Sequence, residues 1–290
     1  MKLATFTHEG HTRIGAVVDD EIIDTSDIAS LPSDMISFFS EGVSAKEKLQ
    51  TLIDTGAHRL LLKDVQLEAP ILNPQKYLAI GLNYGKHIVE TGMDKPEFPT
   101  FFNKQTSCIN RPFGEIHLPK VSEKLDYEGE LAFVISKQCR HVPKEKAHEV
   151  IAGFTIANDV SVRDWQFRSQ TMTLGKSFDT HGPIGPWIVT SDEIEDPHNL
   201  NINVWIDDES RQSMNTSEMI FNCYDMVETL STAFTLMPGD IISTGTGAGV
   251  GVKMKPRGYM RAGQVCRIEI ENIGVLENTV INEPDSTVLY

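Results

Sequence analysis

The stretch Leu125-Asp126-Tyr127-Glu128-Gly129-Glu130-Leu131-Ala132-Phe133-Val134-Ile135 has the two-residue alternation of a β-strand. One face would carry Tyr127, Leu131, Phe133 and Ile135, the other Asp126, Glu128, Glu130, Ala132 and Val134. Both glutamates then point the same way. Carboxylates about 5 Å apart repel by roughly 3 kcal/mol at an effective dielectric near 20, so a site that gathers them needs a cation or a shared proton. Gly129 leaves room for a close approach. On this stretch alone, a solvent-facing strand edge bearing surface acids fits equally well.

Downstream, a third carboxylate tilts the balance. Asp159 ends the apolar run Phe154 to Asp159, an awkward place for a charge without a partner, although it could also cap the next turn. Three hard oxygen donors with no His or Cys suit Mg²⁺, Mn²⁺ or Ca²⁺ rather than zinc. Arg163 and Gln166 follow on one side of a helical turn, and Lys176 sits in a glycine-containing loop; all three could reach an anion held over the metal. Upstream, His87 and Glu90 are spaced i, i+3 on a short helix, so the carboxylate can orient the imidazole as a general base. Taken singly, each of these residues reads first as a solvated surface group. The glycine run Gly245 to Gly251 fails as a nucleotide loop, because Val250 stands where a dinucleotide fingerprint needs glycine and Lys253 lacks the neighbours of a P-loop lysine. It reads instead as backbone amides packed close to a small ligand, with Thr246 offering a hydroxyl.

The surrounding pattern is strand-rich. Tyr77 to Leu82, Leu131 to Ile135, Phe154 to Asp159, Ile184 to Thr190, Leu200 to Ile206, Asp240 to Thr244 and Val265 to Glu271 read as strands, interrupted by few helices, notably Pro143 to Val150 and Tyr224 to Phe234. So few crossover helices favour a β-rich roll or sandwich over a doubly wound sheet. Residues 1–68 form a small N-terminal unit: a strand, a turn at Asp19-Asp20, then helices, one with a Ser44/Glu47 capping box and a stop at Gly56. Pro70 and Pro74 mark the passage into a second unit, 69–290.

Of the 290 residues, 40% are hydrophobic and 23% charged, enough for a full core. A net charge of -15 argues against nucleic acid or anionic membrane as partners, leaving small ligands or proteins. A small anionic substrate must then be drawn in by local cations or a metal. The N-terminal residues lack the apolar core of a signal peptide, and no apolar run approaches a membrane span, so the expected compartment is the cytoplasm. Four scattered cysteines, Cys108, Cys139, Cys223 and Cys266, read as reduced structural thiols.

Six motifs in order carry a resemblance to the fumarylacetoacetate hydrolase family over roughly residues 70 to 282: Gly-Leu-Asn-Tyr-x-x-His-x-x-Glu (81 to 90), Asp-Tyr-Glu-x-Glu-Leu (126 to 131), Asn-Asp-Val-Ser-x-Arg-Asp-x-Gln (158 to 166), Gly-Lys-Ser-Phe-Asp (175 to 179), Pro-Gly-Asp (238 to 240) and Gly-Thr-x-x-Gly-Val-Gly (245 to 251). The resemblance implies an α+β, mainly β fold: a mixed β-sandwich roll as catalytic domain, commonly homodimeric, behind a small N-terminal α/β domain. It implies Mg²⁺ or Mn²⁺ on Glu128, Glu130 and Asp159. Substrate contacts would come from Tyr84, Lys104, Arg163, Gln166 and Thr246, and catalysis from His87 and Glu90 on a lid with Lys176. Phe102-Asn103-Lys104-Gln105 and Gly247 depart from the common family pattern, and Lys104 to Ile109 with Gly249 to Pro256 look closer to the branch with diketo sugar-acid hydrolases and domain-containing relatives. The implied reaction is hydrolysis of a carbon–carbon bond in a small 2,4-diketo acid. Decarboxylation or tautomerisation of oxaloacetate-like acids is the alternative, and an inactive metal-binding interaction module a third.

Overall fold

The computed structural model describes residues 1–25, 28, 30–56 and 58–285. A twelve-stranded mixed sheet runs in the order Arg59–Leu61, Glu21–Asp24, His11–Val18, Lys2–His8, Gly182–Thr190, Ile151–Asn158, Gly129–Ile135, Ile241–Ser243, Tyr77–Gly81, Thr100–Lys104, with Gln66–Leu67 and Ile109–Asn110 attached beside this path. A five-stranded sheet, Glu209–Asn215, Asn201–Ile206, Val265–Ile270, Gly274–Asn282 and Ile116–Leu118, packs on one face. This is the β-rich architecture expected from the strand pattern, with the mixed sheet that the family resemblance implies.

The alternation in 129–135 separates two cores. Leu131, Phe133 and Ile135 join Val204, Ile206 and Ile268 of the smaller sheet and Met226 and Leu230 of the helix Cys223–Ala233. Ala132 and Val134 face the other way, into a core with Leu3, Phe38, Leu49 and Ile188. The strand is central rather than an edge, hydrogen-bonded on both sides. Every residue from 125 to 135 is therefore buried, and each large apolar side chain here stabilises the fold by about 1.5–3 kcal/mol. Strand pairing is broken at Tyr127 and Glu128, and Leu125–Asp126 pairs separately with Ser161–Val162.

The first 68 residues join this frame. Lys2 and Leu3 pair with Val189 and Ile188, so the sheet continues across the composition change at residue 68. Two helices, Met35–Glu41 and Val43–Thr55, contribute Phe38 and Leu49 to the second core. Asp34 caps the first through Ser37 N at 2.9 Å. The second ends as expected at Gly56, with φ at +65°, but it starts at Gly42 with no side-chain cap, so the Ser44/Glu47 capping box does not form. Ser44 lies inside the first turn, where its backbone is already helical. Among the described residues no helix is long and apolar enough to cross a membrane.

Candidate metal centre and ligand cavity

The strand register builds the centre. Gly129 pairs with Asn158, and Asp159 N donates to Glu128 O at 2.9 Å, which brings Asp159 beside the two glutamates. One carboxylate oxygen from each of Glu128, Glu130 and Asp159 lies within 4.8 Å of the others. Gly129 does leave room, but for the second sheet: a Cβ there would stand 2.4 Å from Val204 Cγ2.

Three cations surround the carboxylates. Lys176 Nζ donates to Glu128 Oε2 at 2.7 Å and Asp159 Oδ2 at 2.6 Å. Its placement depends on Gly175, where a Cβ would fall 2.1 Å from Gln166 N. Arg163 donates through Nε to Asp126 Oδ2 at 2.7 Å and through Nη1 to Glu128 Oε1 at 2.7 Å and Gln166 Oε1 at 2.9 Å. Its Nη2 is buried with no hydrogen-bond partner among the described residues. Lys104 Nζ donates to Asp159 Oδ1 at 2.6 Å and to the carbonyls of Lys176 and His181 at 2.5 and 3.0 Å.

Electrostatics distinguish the two glutamates. Burial alone would raise Glu128, but the Lys176 ammonium and Arg163 guanidinium hold it well below the carboxylate range. Glu130 has no paired side-chain cation among the described residues; its Oε2 accepts from Ser243 Oγ at 2.6 Å and Gly245 N at 2.8 Å. Burial, then the charges of Asp159 and Glu128, push its carboxyl up to about 8. Among the described residues, Asp126, Glu128, Glu130 and Asp159 thus form ion pairs only with Arg163, Lys104 and Lys176, leaving one buried carboxylate uncompensated. An all-oxygen donor set with that deficit fits a hard divalent cation such as Mg²⁺ or Mn²⁺.

Above this centre opens a cavity of about 670 Å³, walled in part by Glu128, His87, Arg163, Gln166, Lys176 and Thr246. His87 stands on the helix Gly85–Thr91, and its Nδ1 lies 3.1 Å from Glu90 Oε2. Glu90 sits behind it and accepts from Gly249 N at 3.0 Å. Burial opposes ionisation of Glu90, but His87 and the Gly249 amide lower its carboxyl below the ordinary value.

Two expected substrate contacts lie elsewhere. Lys104 is 2% exposed and off the cavity wall, its three N–H bonds all spent beneath Asp159. Tyr84 is fully buried in the core and likewise off the wall. Thr246 lines the cavity, yet its hydroxyl donates to Gly129 O at 2.9 Å. The glycine loop also works differently from the expectation. Its amides bind the protein's own carboxylates: Gly245 N to Glu130, Gly249 N to Glu90, and Gly251 and Val252 N to Asp126 at 2.8 and 2.9 Å. Asp126 had no assigned role in the sequence reading. The signal was present, since its strand phase matched that of Glu128 and Glu130.

Comparison with known proteins agrees with this geometry. The oxaloacetate tautomerase fahd2, mitochondrial, of Xenopus laevis is 40% identical over 274 residues, covering 93% of this chain and 86% of that protein. The crystal structure of maleylpyruvate hydrolase from Sphingobium sp. SYK-6, in complex with manganese (II) ion and pyruvate, superposes with a TM-score of 0.84 at 30% identity, covering 98% of this chain and 100% of that one. A fumarylacetoacetate hydrolase from psychrophilic Exiguobacterium antarcticum gives 0.87 at 34% identity, again covering 98% and 100%. Residues 76–281 match the family described as Fumarylacetoacetate (FAA) hydrolase C-terminal. With that match spanning most of the chain, and five of the six motifs gathered around one carboxylate centre while Asp240 of the sixth pairs with Lys76, the protein belongs to the fumarylacetoacetate hydrolase family.

Proposed function

We propose that this protein is a divalent-metal-dependent tautomerase of oxaloacetate or a closely related small 2-oxo acid. The observation that carries the reading is the His87–Glu90 pair, set on the wall of the same cavity as Glu128, Arg163 and Lys176. The similarity to oxaloacetate tautomerases from several vertebrates, at 39 to 40% identity, supports it. Glu128, Glu130 and Asp159 would hold the ion, which when bound supplies Lewis acidity to an oxygen of the 2-oxo acid. His87 has Nδ1 committed to Glu90, so Nε2 is left to exchange a proton with C3 of the substrate. Glu90 fixes that tautomer and stabilises the imidazolium that forms. Lys176, charged because Asp159 and Glu128 outweigh the effect of burial on its ammonium, stabilises the negative charge on the enolate oxygen, whose own proton is exchanged with solvent water. The compartment we propose is the cytoplasm; the names of the tautomerase relatives place those proteins in mitochondria.

A second reading is hydrolysis of a carbon–carbon bond in an acylpyruvate, favoured by the similarity to maleylpyruvate hydrolase. The two are separated by following enol–keto conversion of oxaloacetate in the ultraviolet and acylpyruvate cleavage side by side, with and without Mn²⁺. The expected result is metal-dependent acceleration of the enol–keto conversion, reduced by roughly 10² to 10⁴ in His87→Ala. Cleavage of an acylpyruvate with no acceleration of the tautomerisation would overturn the first reading in favour of the second.

A further inference from the structure

We propose that the mouth of the cavity is a subsite for a second carboxylate, formed by Arg168 and Lys253, which selects 2-oxo diacids over 2-oxo monoacids of equal length. This rests on the reading of the cavity as a 2-oxo acid site. In a chain of net charge -15, the cavity wall carries Arg163, Arg168, Lys176 and Lys253 but a single acid, Glu128. The four cations divide by depth. Arg163 and Lys176 are 4% and 2% exposed and bonded to Asp126, Glu128 and Asp159. Their charge is directed at those carboxylates and, for Lys176, at the reacting end of the substrate. Arg168 is exposed and Lys253 half-buried, which places both nearer solvent.

Both outer cations are anchored. The Arg168 guanidinium carbon lies 3.8 Å from the centroid of the Trp165 ring, and Arg168 N donates to Trp165 O at 3.2 Å. It makes no ion pair among the described residues. A guanidinium stacked by its face keeps its in-plane N–H donors for a carboxylate, which it can grip with two parallel bonds. Lys253 closes the 3₁₀ turn Gly251–Lys253, whose first two amides are fixed by Asp126. Anchoring of this kind lowers the ordering cost of binding. The rest of the wall is largely apolar, including Ile80, Met93, Phe102 and Met172, so it offers the middle of a substrate chain contact without competing for its charge.

The test is the ratio of dissociation constants for 2-oxopentanoate and 2-oxoglutarate, measured by calorimetry on the full-length Mn²⁺-loaded protein. These probes have equal chain length and differ in the terminal carboxylate. The parent should favour the diacid by about 10- to 100-fold, the usual worth of a charge-assisted contact. In an Arg168→Ala, Lys253→Ala double variant the ratio should fall to about 1, and Arg168→Lys should keep part of it. A parent ratio near 1, or a ratio unchanged in the double variant, overturns the subsite. Failure of the tautomerase reading is distinct: it appears as an intact ratio with no acceleration of enol–keto conversion.

Discussion

Replacing Lys104 by Met tests whether this lysine is a counter-ion of the centre rather than the substrate contact its sequence position suggested. The side chain keeps its length but loses an ammonium that is completely buried, paired to an Asp159 carboxylate that is 1% exposed. Three acceptors are left behind, the carboxylate at 2.6 Å and two carbonyls at 2.5 and 3.0 Å. Removing one partner of a buried ion pair costs about 3–5 kcal/mol, chiefly because the surviving charge stays desolvated. For a chain of this length that corresponds to a fall in melting temperature on the order of 10 °C. Lys176 still bonds Asp159 Oδ2, which places the loss toward the lower end of the range. Removing a positive charge beside a cation site strengthens attraction for that cation, so saturating Mn²⁺ should stabilise the variant more than the parent and narrow the gap. Thermal and urea unfolding, each with and without Mn²⁺, measure both effects. A metal-free variant within about 1 kcal/mol of the parent, combined with a raised KM for oxaloacetate, would refute the counter-ion role and restore Lys104 as a substrate contact.

Glu130 gives a pH prediction. Its folded-state carboxyl is raised from 4.5 to about 8, so between those values the metal-free fold binds more protons than the unfolded chain, and its stability should decrease as pH rises through that window. Metal must displace that proton, so Mn²⁺ affinity should climb roughly tenfold per pH unit up to about 8 and then level; titrations in buffers of differing ionisation heat would count about one proton released. Glu130→Gln should abolish both the pH dependence and most of the affinity. Gly175→Ala should cost at least about 2 kcal/mol, because the new Cβ meets Gln166 backbone at 2.1 and 2.3 Å and the contact is relieved by shifting either Lys176 or the turn that carries Arg163 and Gln166; a crystal structure of the variant with both unmoved would contradict this. Deleting residues 1–68 strips the strand Gly182–Thr190 of its partner Lys2–His8 and removes part of the second core, so the remainder should aggregate unless solubilised, as size-exclusion chromatography would show.

Much of the centre was legible because strand periodicity is a strict rule. The phase of 125–135 assigned Leu131, Phe133 and Ile135 to one core and put Glu128 and Glu130 together, and the i, i+3 spacing joined His87 to Glu90 as found. Depth was not legible. Lys104 and Lys176 look alike in sequence, and only the fold shows that one reaches the cavity wall while the other is spent beneath Asp159. In sequence, Arg163 reads as a group that reaches the substrate anion; in the fold, Asp126 already pairs with it and Lys104 adds a further cation. The strands Glu209–Asn215 and Gly274–Asn282 went unread because polar residues interrupt their apolar pattern at exposed or half-buried positions. Ser44 and Glu47 matched a capping box, yet local chemistry yielded to the preceding helix and its Gly42 turn.

The turn from Gly245 to Val252 grips Glu130, Glu90 and Asp126 by backbone amides alone. Ion affinity, the posture of the imidazole and the aim of the Arg163 guanidinium consequently share one datum line. A backbone amide cannot be exchanged for another chemistry by substituting a side chain, so any bending of the turn alters these three properties together. Gly249 and Gly251 leave little scope for that, since a Cβ at either would stand 2.0 Å from Arg211 O or 2.4 Å from Gly258 O. New substrates are therefore more readily acquired through the side chains at the cavity mouth, where a change leaves the datum line untouched.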